Sequence, residues 1–166
     1  TASSTQSRPK NAGAPAKTRI WVRSAAGVPP PASPLAKSLA KRLSSAWAPR
    51  GAEVSLWLVG RTAMARLNLL HRGKGGPTDV LSFPLEENLA GPLARDAKAP
   101  WRSHQKALGR EIETRRKQMG LPALALGDVV ICHPVARSQA RELGETLRQA
   151  YARLLATHTW PLPTEP

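Results

Sequence analysis

Two cations and three glycines stand within five residues at Arg72-Gly73-Lys74-Gly75-Gly76. Glycine has no side chain and accepts unusual backbone angles, so a loop of this composition lets the backbone approach a bound phosphate closely. The two cations would add charged contacts to the phosphate oxygens. A flexible turn with solvated charges is the alternative interpretation, because such a run alone is a weak signal.

Three polar residues near this loop or in a later strand are interpreted as structural. Asp79 follows Thr78 at the entrance to a strand, where a carboxylate usually accepts hydrogen bonds from backbone amides or pairs with a cation. Ser82 is not assigned as a nucleophile, because no histidine and acid can be paired with it. Asp128 follows Gly127 in an expected turn, and we predict that it fixes the start of the fourth strand.

The elements that would position the loop follow from hydrophobic periodicity. Strands are predicted over 19–23, 53–59, 78–83 and 126–132, and helices over 33–47, 62–70 and 135–156. In the last helix we expect Leu143, Leu147 and Tyr151 near the core face. This order predicts an α+β fold, in which one mixed four-stranded sheet is packed with helices in a single domain.

The domain is expected to span residues 18–166, after a disordered basic arm at residues 1–17. A long basic insertion is predicted at about 88–124, and its centre, Trp101 to Met119, could form a helix. Connections of this length are uncommon in compact domains unless they are functional or disordered. Two interpretations stay open for it: a mobile solvated excursion, or a helix that grips RNA.

Charge points to a polyanionic partner, since 25 Lys and Arg against 11 acids give a formal charge of +14. Nucleic acid is the favoured partner, and a solubility charge or an anionic membrane surface is the alternative. No apolar run approaches the ~18 residues that span a bilayer. The single cysteine, Cys132, is interpreted as a packed reduced thiol, which favours the cytoplasm, with organelle import as the alternative.

Two segments together resemble a known family. Residues 67–84 read LNLLHRGKGGPTDVLSFP and residues 126–132 read LGDVVIC. They are similar to the patterns LNxxFRGKDxPTDVLSFP and LGDIxI of the YbeY-type endoribonucleases, which are zinc-dependent rRNA maturation factors. The resemblance covers about Arg19 to Ala156, and it implies an α+β fold and metal-assisted cleavage of single-stranded rRNA in rRNA maturation and ribosome quality control.

The resemblance also implies site residues and partners. Arg72 matches the family arginine in the cleft that faces the metal, so we predict that it is catalytic and binds RNA, with Lys74 as a second RNA-binding residue. Gly75 stands where an aspartate is common, and His71 replaces an aromatic residue, so substrate contacts are expected to differ. The implied partners are rRNA and the small ribosomal subunit, with no membrane and no DNA specifically implied.

The third family block, HGxLHLxGxDH, carries the zinc ligands, and the chain reads LLATHTWPLP at residues 154–163 instead. The resemblance implies a zinc cofactor, but no two of His71, His104, His133 and His158 stand four residues apart. We therefore assign no metal ligand to this chain, and whether it is an enzyme stays open. A truncated or frame-altered product, a paralogue that has lost catalysis and an incomplete sequence all fit this divergent ending.

These observations leave rival functions beside the endoribonuclease. One is a non-catalytic RNA- or ribosome-binding factor that has lost the metal site, and the other is a degraded product without a function of its own. Without the family's last helix, we expect Leu147, Tyr151 and Leu155 to be partly uncovered.

Overall fold

The structure, a computed structural model, describes residues 13–29, 38, 41, 50–85 and 101–158. Its strands are β1 (Arg19–Ser24), β2 (Ala52–Val59), β3 (Val80–Pro84) and β4 (Leu124–Cys132). Its helices in these ranges are α1 (Arg61–Arg72), α2 (Trp101–Met119), α3 (His133–Leu143) and α4 (Leu147–His158). The helix predicted over 33–47 lies outside the described residues except at Ser38 and Lys41, both of which are helical.

The four strands form one mixed sheet in the order β1-β2-β4-β3. β1, β2 and β4 are parallel neighbours, and β3 pairs antiparallel with β4. β2 and β4 are therefore the central strands, which explains their long apolar runs, because a central strand covered on both faces needs few polar side chains. The predicted α+β fold with a mixed four-stranded sheet is confirmed.

Helices cover both faces of the sheet. Side chains alternate along a strand, so Val54, Leu56 and Leu58 of β2 point to one face. On that face they join a core cluster with residues of α2 and α4, among them Ile112 and Leu154. On the other face α1 contributes Met64 and Leu67 to a second cluster that also holds Val59, Trp57, Leu81 and Val130. No helix of the described residues is long and apolar enough to cross a membrane.

The basic insertion contains the helix that the sequence predicts, since α2 runs from Trp101 to Met119. Leu108 and Ile112, one turn apart, are buried in the main core. This part of the insertion is therefore an integral layer of the fold. The predicted arm, in the part that is described, also contacts the domain: the Ala16 amide donates to the Pro122 carbonyl, and the Gly51 amide donates to the Ala16 carbonyl.

The single helix predicted over 135–156 is wrong, because the chain breaks it into α3 and α4. Gly144 ends α3 with a left-handed φ of 66°, a conformation that glycine adopts without a steric penalty. Thr146 and Gln149 then form a reciprocal capping box, in which each backbone amide donates to the other's side chain. Both signals, the glycine and the capping box, are local and visible in the sequence. The apolar residues keep their helical spacing across them, however, and this spacing predicted one continuous helix.

This break changes the burial of the C-terminal segment. Leu143, expected near the core, is 61% exposed. Tyr151 and Leu155 are 1% and 3% exposed, so the expectation that they would be partly uncovered is wrong. They are buried because they belong to the main core cluster between α4 and the sheet, and the half-buried Leu147 packs against this cluster.

The expected turn at Gly127-Asp128 is also wrong. β4 begins at Leu124, and both residues lie inside it. Glu53 pairs with Ala125 while Val54 pairs with Gly127, so Leu126 is an extra residue in a β-bulge. Gly127 takes a φ of 143° at this irregularity. Asp128 therefore does not start the strand, and it pairs with Ser55 and Phe83 on its two sides.

Candidate functional site

The glycine loop begins where α1 ends. Gly73 has a φ of 65°, and its amide donates to the Leu69 carbonyl at 3.0 Å, which closes the helix in a left-handed cap. A side chain at this position would be strained, so helix termination already requires glycine here. His71 and Arg72 occupy the last turn of α1, where the helix dipole favours positive charge.

Asn68 holds the far side of the loop. Its Nδ2 donates to the Gly76 carbonyl at 2.9 Å, and the side chain is 95% buried, since only 5% of the residue is exposed. Its Oδ1 has no hydrogen-bond partner among the described residues. The sequence analysis missed this residue, although a single polar residue four positions after the buried Met64 on an amphipathic helix is a visible signal.

A cleft of about 520 Å³ opens between the end of α1 and β3. It is lined by His71 and Arg72 of α1 and by residues 78–83, from Thr78 to Phe83. The His71 ring meets the Phe83 ring edge-on, with 4.7 Å between the ring centroids. Arg72 is exposed and lines the cleft, whereas Lys74 is exposed in the loop and is not among the lining residues.

Asp79 organises the wall of this cleft. Its Oδ1 accepts hydrogen bonds from the Val80 amide at 2.8 Å and from the Thr78 hydroxyl at 3.2 Å. Its Oδ2 accepts one from Gln139 of α3 at 3.2 Å. The structural role predicted for Asp79 is confirmed by these contacts.

The same wall is connected to α4 through side chains. Gln139 Oε1 accepts a hydrogen bond from Arg153 at 3.3 Å, and Arg153 pairs with both carboxylate oxygens of Glu145 at 3.2 Å. A continuous polar chain thus runs from Asp79 to the C-terminal helix pair. Among the described strands β3 pairs only with β4, so this chain adds side-chain support to an edge strand.

A smaller cleft of about 240 Å³ adjoins the first through His71 and Phe83, which line both. Arg23 of β1 lies over the Trp57 ring, 4.7 Å from its centroid, at the side of this second cleft. Asp128 also lines it. The two clefts together give a surface of aromatic rings and cations beside α1, a combination suited to nucleotides.

Three titratable groups lie near the end of β4, and two of them, the half-buried His133 and the buried Tyr151 of α4, contact each other. His133 Nδ1 is hydrogen-bonded to the Tyr151 hydroxyl, and burial lowers the pKa of His133, with Arg137 adding to the effect. Burial raises the pKa of Tyr151 and that of Cys132. Cys132 is fully buried, which confirms the predicted packed thiol.

The described side chains do not form a zinc site. Within the described ranges, no three of the His, Cys, Asp and Glu side chains lie close enough together to hold a metal ion. His71 lies in the cleft and His133 is bonded to Tyr151, while the side chains of His104 and His158 lie outside the described part. A catalytic zinc ion usually has three protein ligands, so these residues do not fit one.

Comparison with known proteins matches this chain to one family. The family model described as "Endoribonuclease YbeY" matches residues 32–160. A relative of that name from Leptospira interrogans is 39% identical over 103 residues, which are 62% of this chain and 63% of the relative. One from Sulfurihydrogenibium sp. is 30% identical over 119 residues, and one from Thermobifida fusca is 36% identical over 107.

The match to the Sulfurihydrogenibium relative covers 72% of this chain and 59% of that relative. The match to the Thermobifida fusca relative covers 64% of this chain and 53% of that relative. The chain thus spans between half and two thirds of the length of these curated relatives. The family model nevertheless covers well over half of the chain, and it includes both the glycine loop and β4. The chain belongs to the endoribonuclease YbeY family.

Proposed function

We propose that this chain is an endoribonuclease domain that acts on single-stranded RNA, with rRNA of the small ribosomal subunit in the cytoplasm as its substrate. The observation that carries the proposal is Arg72, an exposed arginine on a cleft wall at the family's sequence motif. The curated relatives are named as endoribonucleases, which supports the reaction class.

In this proposal Arg72 is the catalytic and phosphate-binding residue of the cleft. A guanidinium presents five donors in a planar fork that can hold two phosphate oxygens at once. It stands on the last turn of a helix that Gly73 ends, which places its backbone at the cleft wall. A cation held in this way also stabilises the negative charge that develops on the phosphate during cleavage.

Lys74 acts as the second RNA-binding residue, outside the cleft lining. It lies exposed beside Gly75, where an added β-carbon would meet no atom within 4 Å, so the neighbouring phosphate of a bound strand has room to approach. The Asn68 hydrogen bond to Gly76 limits the movement of this loop. Arg72 and Lys74 would then contact successive phosphates of one RNA strand.

Zinc is the cofactor that family membership implies, and the described donors do not fit it. We therefore derive no step through a metal ion. Phosphate binding and charge stabilisation at Arg72 need no metal ligand from these residues. Cleavage and RNA binding are consequently separate predictions, and the same experiment must measure both.

The test compares Arg72→Ala with Arg66→Ala. Both arginines are exposed on α1, but only Arg72 lines the cleft, so the pair removes equal charge from two positions of one helix. Loss of a charged hydrogen bond, at about 1.5–3 kcal/mol, predicts a roughly 10- to 100-fold weaker affinity of Arg72→Ala for single-stranded RNA. Arg66→Ala should change the affinity less than about 3-fold, because it removes only a surface charge.

Binding is measured by fluorescence anisotropy with a labelled RNA, and cleavage by gel analysis with and without a chelator. Equal effects of the two variants on affinity would reject the cleft as the phosphate site. RNA binding that depends on Arg72 without any cleavage would reject the endoribonuclease and favour a non-catalytic RNA- or ribosome-binding factor.

A further inference from the structure

A groove of about 580 Å³, separate from both clefts described above, lies on the α2 side of the sheet. The Arg72 cleft lies on the α1 side. The groove is formed by Pro15, by Arg50 just before β2, and by a face of α2 that includes Lys106, Gly109 and Arg110. We call it the α2 groove. Two segments that are distant in the sequence therefore bring three cations, Arg50, Lys106 and Arg110, to one surface.

The cations of the α2 groove make no ion pair with any described carboxylate. Arg50, Lys106 and Arg110 are all exposed. The other basic residues in the second half of α2 are paired along the helix, with Arg115 on Glu111, and with Arg116 and Lys117 on Glu113. The unpaired charge of the described part of this helix is thus concentrated in the groove.

The groove contains one acid, Glu113, and its charge is already balanced. Its two carboxylate oxygens contact Arg116 at 2.7 Å and Lys117 at 3.0 Å. The hydrogen bond from Arg116 is the main cause that lowers the pKa of Glu113. Glu113 therefore does not neutralise the three groove cations, and the local charge stays positive.

The groove is also open at its centre, and two of its cations stand on a helix that packs into the core. Lys106 and Arg110 stand four residues apart on one face of α2, with Gly109 beside them. A β-carbon at Gly109 would meet no atom within 4 Å, so the missing side chain leaves space between the two cations. Leu108 and Ile112 anchor this turn in the core. Cations on an anchored helix lose less entropy on binding than cations on a flexible loop.

We propose that the α2 groove binds phosphates of the backbone of single-stranded RNA, as a contact site separate from the Arg72 cleft. Three exposed cations without a competing carboxylate match a chain of phosphates, and they read no base edge, so this binding should be independent of sequence. The proposal rests on RNA as the substrate class in the proposed function. It adds a site that holds the strand at a distance from the reacting phosphate.

The experiment titrates a labelled single-stranded oligouridylate with the full chain over a range of salt concentrations. The double variant Lys106→Gln/Arg110→Gln removes two groove cations. The double variant Arg141→Gln/Arg148→Gln removes the same charge from exposed positions on α3 and α4, outside the groove lining. The groove variant should reduce the slope of log K against log salt by about 1.4, which is ~0.7 for each lost phosphate contact. The control variant should leave the slope nearly unchanged.

A third variant, Gly109→Leu, narrows the groove without changing any charge. Leucine is a better helix former than glycine by up to about 1 kcal/mol, so this variant should remain folded. It should weaken RNA binding, and unchanged binding would overturn the groove. Equal losses of RNA affinity in the two double variants would show that net charge alone attracts RNA. That result would also overturn the groove as a binding site.

Arg72→Ala is measured in the same titration, so the two proposals fail separately. A loss confined to the groove variants would support the groove and reject the cleft, and a loss confined to Arg72→Ala would do the reverse. If the groove variants lose binding to anionic phospholipid vesicles while RNA binding is unchanged, the groove serves a membrane surface and the RNA proposal is wrong.

Discussion

Replacing Arg116 by methionine should destabilise the protein by about 2–3 kcal/mol. Arg116 is only 1% exposed, and removing a buried charge would by itself stabilise the fold, so the loss must come from the hydrogen bonds of the guanidinium. The guanidinium makes four contacts. It donates to the Glu113 carboxylate through Nε and Nη2, both at 2.7 Å, and through Nη1 to the carbonyls of Gly13 at 3.1 Å and Leu121 at 3.2 Å. It thereby ties residues 13–17 and the end of α2 together.

The expected loss of stability follows from treating the two carbonyl acceptors and the Glu113 carboxylate separately. A hydrogen bond from a charged donor contributes about 1.5–3 kcal/mol when its acceptor is buried, and about half of that is reasonable here because both carbonyls belong to residues that water reaches. Glu113 is 36% exposed and can be hydrated again, so its pair with Arg116 adds only about 0–1 kcal/mol. Methionine retains much of the packing of the stem.

The assay is urea unfolding of Arg116→Met and Lys117→Met, with the free energy of unfolding compared at a common slope. Lys117 contacts the same carboxylate from a position that is 59% exposed, so its loss should cost about 0.5 kcal/mol or less. If Arg116→Met is as stable as Lys117→Met, the cost of burying the guanidinium offsets its hydrogen bonds, as it does in some buried ion pairs, and the reasoning is wrong.

The pH dependence gives an independent check. The hydrogen bond from Arg116 holds the pKa of Glu113 below its ordinary value of 4.5. A carboxyl group with a lowered folded-state pKa contributes stability that is complete above the unfolded-state pKa and is lost as the pH falls through the folded-state pKa. The stability difference between the wild type and Arg116→Met should therefore shrink below about pH 4.5.

Three further predictions concern the loop, the C-terminal helices and the half-buried His133. Asn68→Ala removes the donor to the carbonyl of Gly76, an exposed residue that water can reach, so it should cost about 0.5–1.5 kcal/mol and weaken RNA binding; unaltered affinity would mean that the loop keeps its position without this bond. Leu143→Ala should change stability by less than about 0.5 kcal/mol, whereas Leu154→Ala should cost about 2–5 kcal/mol, and similar costs in urea unfolding would contradict their burial. Burial lowers the pKa of His133, so stability should be complete above about pH 6.5 and decline as the pH falls toward the folded-state pKa; an NMR titration midpoint at or above 6.5 would refute this.

Much of the fold could be predicted because its signals are local. Alternating or continuous apolar residues located every strand to within two residues, and Gly73 marked the end of α1. The helix that Trp101 to Met119 could form is present as α2, and Leu108 and Ile112 repeat at helical spacing within it. The break at Gly144 was also locally visible, but the apolar period on both sides outweighed it in the prediction.

The bulge at Leu126 could not be predicted in this way. Gly127-Asp128 has the composition of a turn, and only the pairing of β4 with β2 shows that the two residues continue a strand. The register of a sheet depends on contacts between segments that are far apart in the sequence. Composition therefore gave the wrong local structure at this point.

The sequence by itself determined the family, the approximate bounds of the strands along the chain and the loop that follows Arg72, because these depend on local patterns and on a short motif. Only the tertiary structure decided which cations are engaged in hydrogen bonds and ion pairs within the fold, and which are exposed and able to bind a ligand. Arg110 and Arg116 belong to the same basic helix, yet Arg116 is buried against Gly13 and Leu121, while Arg110 joins Arg50 at an open groove. The physical reason is that a charge is neutralised or left exposed by whatever the fold packs against it, and those neighbours come from distant parts of the chain.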